Sequence, residues 1–115
     1  MSTSAHSNDY INIDDALKRL GGNMGLYKQL LNRFDGNGYI SEIEEALRTN
    51  DKEKASHSIH SLKGVGANLS LEKLRFASAE LEGALAGGAD CSACLELLKE
   101  ELKITQGFIA DIIQG

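Results

Sequence analysis

Proline is absent from all 115 residues of this chain, so no helix is kinked or ended by a proline. Apolar residues recur at intervals of three and four, which is the period of a helix, and no stretch shows the alternation typical of a β-strand. Ala, Leu, Glu and Lys, all good helix formers, are plentiful. The sequence therefore predicts an all-α protein with uninterrupted helices.

Capping patterns and glycines predict where these helices begin and end. Asn12 with Asp15 opens a short helix, which Gly21-Gly22 ends. A cluster of helix breakers, residues 35–38, separates two further helices. Later helices are expected to begin at four polar N-cap residues: Asn23, Asn50, Ser70 and Asp90. Such short connections make neighbouring helices antiparallel. We therefore expect a disordered polar tail or linker at 1–11 and a helical bundle, with one small helix in front, at 12–115.

Charge and composition exclude several classes of protein. The formal net charge is −5, which disfavours nucleic acid and anionic lipid as main partners. No stretch approaches the roughly 20 apolar residues that span a bilayer, and residues 1–9 lack the apolar segment of a secretory signal. Cys91 and Cys94 are too few for a disulfide scaffold. These features predict a cytoplasmic protein without membrane insertion.

One predicted helix, ending near residue 68, concentrates the residues that could carry chemistry. With about 100° of rotation per residue, its apolar side chains share one face, which must point to the core: Ala55, Ile59, Leu62, Gly66 and Leu69. His57, His60 and Gly64 fall on the opposite, solvent-facing side. Lys63 lies one turn after His60 and can bring its ammonium beside that imidazole.

An exposed, uncharged imidazole is a competent nucleophile near neutral pH, and a nearby ammonium would stabilise a phosphoryl group placed on it. Gly64 carries no side chain, so another protein could approach closely. A glycine inside a helix costs about 1 kcal/mol relative to alanine, and Gly64 and Gly66 both lie inside this one. The residues alone leave an alternative open, namely two surface histidines on an ordinary polar helix.

His60-Ser61-Leu62-Lys63-Gly64 resembles the His-x-Leu-Lys-Gly motif of histidine-containing phosphotransfer (HPt) domains. The similarity extends over about residues 12–113 and includes these further segments: Leu20-Gly21-Gly22, Leu26-Tyr27, Leu30-Leu31, Phe34, Ile43, Ala46-Leu47, Asp51, Leu69, Leu74 and Leu81-Glu82. Ser70 stands where the family often has glycine; as a helix cap it is expected to have no functional consequence.

The resemblance implies an antiparallel up-down-up-down four-helix bundle with a short additional N-terminal helix. It implies that His60 accepts a phosphoryl group from the aspartyl phosphate of a receiver domain and passes it to another receiver. Lys63 would stabilise the phosphate, and three residues would contact the docked receiver: His57, Gly64 and Ala67.

On this resemblance the chain is a phosphocarrier and not an enzyme. It would need no cofactor and no metal of its own, because the partner receiver domain would hold Mg²⁺. Its expected partners are receiver domains of response regulators or hybrid sensor kinases, and it is expected to be monomeric. The chain could be an independent carrier or one domain of a hybrid sensor kinase.

Two other motifs offer competing interpretations. Residues 33–44 match much of an EF-hand loop, although Arg33 replaces the first ligand, so a Ca²⁺-responsive interaction module is the alternative function. Cys91 and Cys94 form a C-x-x-C motif, which is expected to be a small apolar pair whose pKa the helix N-terminus lowers somewhat. A third possibility is a purely structural bundle in which the histidine is idle.

Overall fold

The computed structural model describes residues 7–115, and within them the chain forms helices joined by short turns. The helices in chain order are α1 (Ser7–Tyr10), α2 (Ile13–Arg19), α3 (Met24–Arg33), α4 (Gly36–Arg48), α5 (Lys52–Asn68), α6 (Glu72–Ala86) and α7 (Ser92–Gln114). No strand occurs in this part of the chain beyond an isolated antiparallel bridge between Ile11 and Leu71. The predicted all-α class is confirmed.

Helices α4 to α7 form an antiparallel four-helix bundle in which each helix packs against the next. Side-chain pairs close the bundle between its first and last helices: Lys99 Nζ lies 2.9 Å from Glu44 Oε2, and Gln106 Nε2 lies 3.4 Å from Asn37 Oδ1. Since the later residue of α7 pairs with the earlier residue of α4, these two helices run in opposite directions. The up-down-up-down bundle is therefore confirmed.

On α5 and α6 the core residues are those that the helical period predicts. The five residues assigned to the core face of α5, the last of which is its C-cap, are all buried. The same is true of the apolar stripe that begins at the N-cap of α6: Leu71, Leu74, Ala77, Leu81 and Leu85. Burying these faces against one another removes apolar surface from water, which is the main force that holds the bundle together.

Helices α2 and α3 lie ahead of the bundle and begin as predicted. The side chain of Asn12 accepts a hydrogen bond from the amide of Asp15, and Asn23 caps α3 in the same way. Gly21 and Gly22, with φ of +63° and +78°, make the turn between the two helices. This segment is tied to the end of α5, because the buried Tyr27 hydroxyl donates a hydrogen bond to the Leu69 carbonyl at 2.7 Å.

The last part of the predicted polar tail is folded. Residues 1–6, with His6, lie outside the described residues, but residues 7–10 form the single turn α1. Tyr10 and Ile11 are buried at 8% and 1% exposure, and the Tyr10 hydroxyl donates to Glu101 on α7. The tail boundary at residue 11 is therefore wrong, because two large apolar side chains at its end join the core.

Two helices begin one residue later than predicted. The N-cap of α5 is Asp51, whose side chain accepts from the Lys54 amide, while Asn50 has φ of +58°. The position before α6 shows the same pattern: Ser70 has φ of +57° and Leu71 is the N-cap. Both polar residues occupy left-handed positions in the preceding turn, so neither can cap the helix that follows.

The serine that replaces a common glycine is part of a buried contact. Ser70 is fully buried, accepts a hydrogen bond from Arg19, and donates one to Asp15 Oδ2 at 2.8 Å. The left-handed backbone explains why glycine suits this position, since it removes the steric cost that other residues pay there. The side chain of Ser70 instead joins α2 to the α5–α6 turn.

Helix α7 also starts one residue later than expected. Its N-cap is Cys91, which makes no side-chain cap hydrogen bond. Asp90, the predicted cap, still accepts the Ser92 amide at 3.0 Å, so it satisfies one free donor of the first turn from one position earlier.

The predicted breaker cluster at residues 35–38 is mostly helical. Asp35 is the N-cap of α4 and accepts from the Gly38 amide, so Gly36, Asn37 and Gly38 form the first turn of that helix. The EF-hand interpretation of residues 33–44 is therefore wrong, because a regular helix from Gly36 onward cannot wrap its side chains around a cation as a Ca²⁺ loop does.

Cys91 and Cys94 are free thiols that pack partly against the core, as expected of a small apolar pair. The expected lowering of their pKa is not found for Cys91. Burial raises the pKa of its thiol, and the neighbouring Cys94 and Asp90 raise it further. Separately, none of the helices in residues 7–115 combines the length and apolar character that crossing a bilayer requires.

Candidate functional site

The solvent-facing side of α5 carries His60 as predicted. Its side chain is 71% exposed, and His57 and Gly64 are exposed on the same side of the helix. The opposite side of α5 is anchored in the core by fully buried residues such as Ile59 and Leu62. Because these neighbours are fixed, the helix holds the imidazole of His60 in a defined direction toward solvent.

A carboxylate on the neighbouring helix holds the imidazole. Glu82 of α6 places Oε2 at 2.9 Å from His60 Nδ1 and Oε1 at 2.6 Å from Lys63 Nζ. Lys63 therefore meets His60 through this shared carboxylate, and its side chain is 32% exposed. The structure brings the two predicted residues together and adds a third that connects them.

The contact with Glu82 determines which nitrogen of His60 is free to react. An ionised carboxylate can only accept hydrogen bonds, so Nδ1 must carry the proton and donate it to Glu82. In the neutral ring Nε2 then has the lone pair. Since Nδ1 is engaged and the side chain is largely exposed, Nε2 is the nitrogen available to an electrophile from solvent or from a partner.

The charge state of Glu82 follows from its two partners. The hydrogen bond from Lys63 lowers the pKa of Glu82 most, and the hydrogen bond from His60 lowers it further, while partial burial opposes both. Glu82 is thus held ionised at neutral pH. That negative charge can stabilise positive charge on the His60 ring.

Two glycines of α5 have different surroundings. A Cβ at Gly64 would contact nothing within 4 Å, so no packing inside the molecule requires glycine there. A Cβ at Gly66 would lie 3.2 Å from the Arg75 backbone nitrogen, so this glycine allows α5 and α6 to pack closely. Ala67, the third predicted docking residue, is half-buried.

Glu82 is the residue whose role reasoning from the sequence missed, since it appears there only as part of a family match. It lies 22 residues after His60 on another helix. The antiparallel register of α5 and α6, which places Gly66 beside Arg75, also places Glu82 beside His60. The signal that the sequence offers is the position of Glu82, a charged residue directly after Leu81 of the apolar stripe.

The next feature is the arrangement of side chains that could bind a metal ion. Within residues 7–115, no group of three or more His, Cys, Asp or Glu side chains is arranged to hold a metal ion. Near His60 the acidic side chain is Glu82, and both of its oxygens are engaged by His60 and Lys63.

Comparisons with known proteins place this site in a family. No curated protein and no solved structure matches the chain. The family model of the Hpt domain matches residues 34–107, which is well over half of the 115 residues and covers α4, α5, α6 and most of α7. The matched region contains His60, Lys63 and Glu82. The chain therefore belongs to the Hpt domain family, whose role is phosphotransfer in two-component signalling.

Proposed function

We propose that this protein is a phosphorelay intermediate whose His60 accepts a phosphoryl group from the aspartyl phosphate of one receiver domain and passes it to the aspartate of another. Family membership supports the phosphotransfer role. The observation that carries the residue assignment is the Glu82–His60 contact, because it leaves Nε2 of an exposed imidazole as the free nucleophile.

The transfer balances without an added acid or base. The Nε2 lone pair attacks the phosphorus of the acyl phosphate, the N–P bond forms, and the P–O bond to the aspartyl group breaks. The departing aspartate takes the bonding electrons and leaves as a carboxylate. His60 keeps its proton on Nδ1, so its ring becomes positively charged, and the Glu82 carboxylate at 2.9 Å stabilises that charge.

The reverse reaction passes the group on. The carboxylate of a second receiver attacks the phosphorus, the N–P bond breaks, and the ring returns to its neutral form. In this proposal Lys63, whose ammonium is held next to the site by Glu82, lies where it can attract the phosphoryl oxygens. The receiver supplies Mg²⁺ and the groups around the transferring phosphoryl. The carrier contributes the oriented nucleophile and is not itself an enzyme.

Incubation with a radiolabelled, phosphorylated receiver domain tests the assignment. The parent protein is expected to take up label that is lost in acid and stable in base, as expected for phosphohistidine. His60→Gln should take up none. His57→Gln is the matched control, because it removes the other exposed histidine of α5, and it should keep most of the label. Equal labelling of His60→Gln and the parent would refute the assignment to His60, and no uptake of label by the parent from any receiver would leave a purely structural role.

A further inference from the structure

Helix α6 presents an aromatic residue to solvent that the bundle does not use. Phe76 is 61% exposed, the highest value among the large hydrophobic residues in the described part of the chain. Its neighbours Leu74 and Ala77 are buried and hold the helix in place. Phe is among the side chains that stabilise a protein most when they are buried, so leaving this one in water forgoes a stabilising contribution.

Phe76 begins a row of uncharged residues on α6 that leads toward the phosphoacceptor site, and the exposed charged residues Lys73 and Glu80 lie beside this row. Ala79 lies one turn after Phe76, and Glu82, which holds His60, lies one turn after Ala79. Gly83 follows one turn after Ala79 on the same side and is exposed, and a Cβ there would contact nothing within 4 Å. We call Phe76, Ala79 and Gly83 the α6 patch.

Along α6, the α6 patch lies close to Glu82, the residue that contacts His60. Six residues separate Phe76 from Glu82, which is about 9 Å along a helix axis. A typical stable interface covers about 800 Å² on each partner, equivalent to a disc of roughly 16 Å radius. A protein that brings a phosphoryl group to His60 therefore has the α6 patch within the reach of its contact surface.

We propose that the α6 patch is a docking contact for the receiver domain that exchanges the phosphoryl group with His60, and that Phe76 supplies much of the binding affinity there. This inference rests on the proposed function. The receiver must present an apolar surface close to its phosphorylated aspartate to match this arrangement. Ala79 and Gly83 are small, so that surface can lie flat against α6 while the aspartyl phosphate reaches His60.

The chemistry of the partner follows from the composition of the patch. Its three residues carry no charge, so the contact relies on burial of apolar surface, and aromatic residues are among those that contribute most at interfaces. Lys63 and Glu82 beside it are already paired with each other. Phe76 is thus a specificity residue for the receiver and takes no part in the chemical step.

The test compares two phosphodonors for the parent and Phe76→Ala. With a phosphorylated receiver, Phe76→Ala should raise the KM for the receiver about 10-fold with kcat changed less than about 2-fold, as expected for lost binding. With phosphoramidate, a small donor that needs no docking surface, labelling of His60 should be unchanged. Leu97→Ala is the matched control, since Leu97 is 43% exposed on α7, and its KM should equal that of the parent.

A second pair of variants adds bulk instead of removing it. Gly83→Gln should raise the receiver KM, whereas Gly107→Gln, at an exposed glycine of α7 with equally open surroundings, should not. An unchanged KM for both Phe76→Ala and Gly83→Gln would overturn this inference while leaving the proposed function intact. If the parent takes no label from any receiver although phosphoramidate labels it, the proposed function is refuted, and this inference, which rests on it, is refuted as well.

Discussion

At the scale of single residues, a contact between helices orients the proposed phosphoacceptor. His60 is exposed and therefore accessible, but exposure alone would leave both ring nitrogens and several rotamers available. Glu82 accepts from Nδ1, and Lys63 holds Glu82 ionised by a contact of 2.6 Å. The three side chains act as one unit in which the lysine orients the carboxylate and the carboxylate orients the imidazole.

Replacement of Glu82 by glutamine tests this arrangement at neutral pH. Glutamine keeps the size of the side chain but carries no charge, so it cannot stabilise the positive ring formed on transfer. We expect Glu82→Gln to slow phosphoryl transfer to His60 by about 10-fold. This effect is smaller than the rate loss caused by removing a buried electrostatic contact, because the site is open to water. Stopped-flow or rapid-quench labelling measures the rate, and an unchanged rate would contradict the role of the carboxylate.

The stability difference between the parent and Glu82→Gln is expected to depend on pH. The pKa of Glu82 is lowered in the folded protein from an ordinary value of 4.5, so between the two values the unfolded chain binds more protons. The resulting stabilisation is present above pH 4.5 and is lost as the pH falls through the folded-state pKa. The parent should therefore exceed Glu82→Gln in free energy of unfolding by less than about 1 kcal/mol at neutral pH, because solvent screens the pair. Urea titrations should show the gap closing in acid.

The sequence predicts much of this site but not its assembly. The period of α5 places His60 and Gly64 toward solvent, because the apolar residues on the opposite face leave no other orientation. The role of Glu82 depends on the register of two helices, which no local pattern specifies. The sequence places Lys63 one turn after His60 and so predicts that its ammonium lies beside the imidazole. In the structure the ammonium instead contacts the Glu82 carboxylate, which lies between the two side chains.

At the scale of helices, small residues determine how closely the bundle packs. Gly66 lies where α6 passes α5, and its missing side chain leaves room for the backbone of Arg75. Gly64, only two residues away, faces open space. The two glycines have equal intrinsic costs in a helix, so their substitutions separate packing from helix propensity.

Alanine variants at these positions should shift stability in opposite directions. Gly64→Ala removes the cost of a helical glycine and should raise the free energy of unfolding by up to about 1 kcal/mol. Gly66→Ala gains the same propensity but pushes against a helix backbone, and we expect a net loss of about 1 kcal/mol or more. Urea unfolding measures both. A stabilised Gly66→Ala would show that the helices can separate at no cost.

Helix boundaries show where reasoning from sequence is least accurate. Asn50 and Ser70 were expected to be caps because both residue types favour that role. The structure gives both a positive φ, which places them at the end of one helix instead of the start of the next. Adjacent polar residues compete for these two positions, and the outcome depends on the turn between the helices.

At the scale of the whole molecule, the segment before residue 12 completes the fold. Ile11 is buried and pairs with Leu71, and the amide of Asn12 donates to the Ser70 carbonyl at 3.0 Å. Tyr10 packs against Phe108 with ring centroids 5.5 Å apart. The N-terminal segment thus links the α5–α6 turn to α7.

Truncation of Ile11 tests this contribution. Ile11→Ala should lower the free energy of unfolding by about 2–4 kcal/mol, as for other buried aliphatic residues. Ile104→Ala is the matched control, because Ile104 is 36% exposed on α7, and it should cost less than about 1 kcal/mol. Equal small losses in both variants would show that residues 7–11 contribute little to the fold.

The fold class and bundle order were predictable because they depend on features that every helix repeats, namely the apolar period and short connections. The up-down-up-down arrangement of α4 to α7 follows once neighbouring helices are antiparallel. The burial of Tyr10 and Ile11 was missed because two apolar residues at the end of a polar stretch are too few to show a period. Their burial depends on packing against α6 and α7, which the local sequence does not specify.

Onward transfer tests the central claim most directly. The protein is first labelled by a phosphorylated receiver, purified from it, and then mixed with a second, unphosphorylated receiver and Mg²⁺. We predict that label leaves His60 and appears on the second receiver's aspartate in equal amount. The His60→Gln variant should take up no label from the first receiver and should therefore pass none to the second. Label that stays on the protein with every receiver, or that is released only as inorganic phosphate, would contradict a role as phosphorelay intermediate.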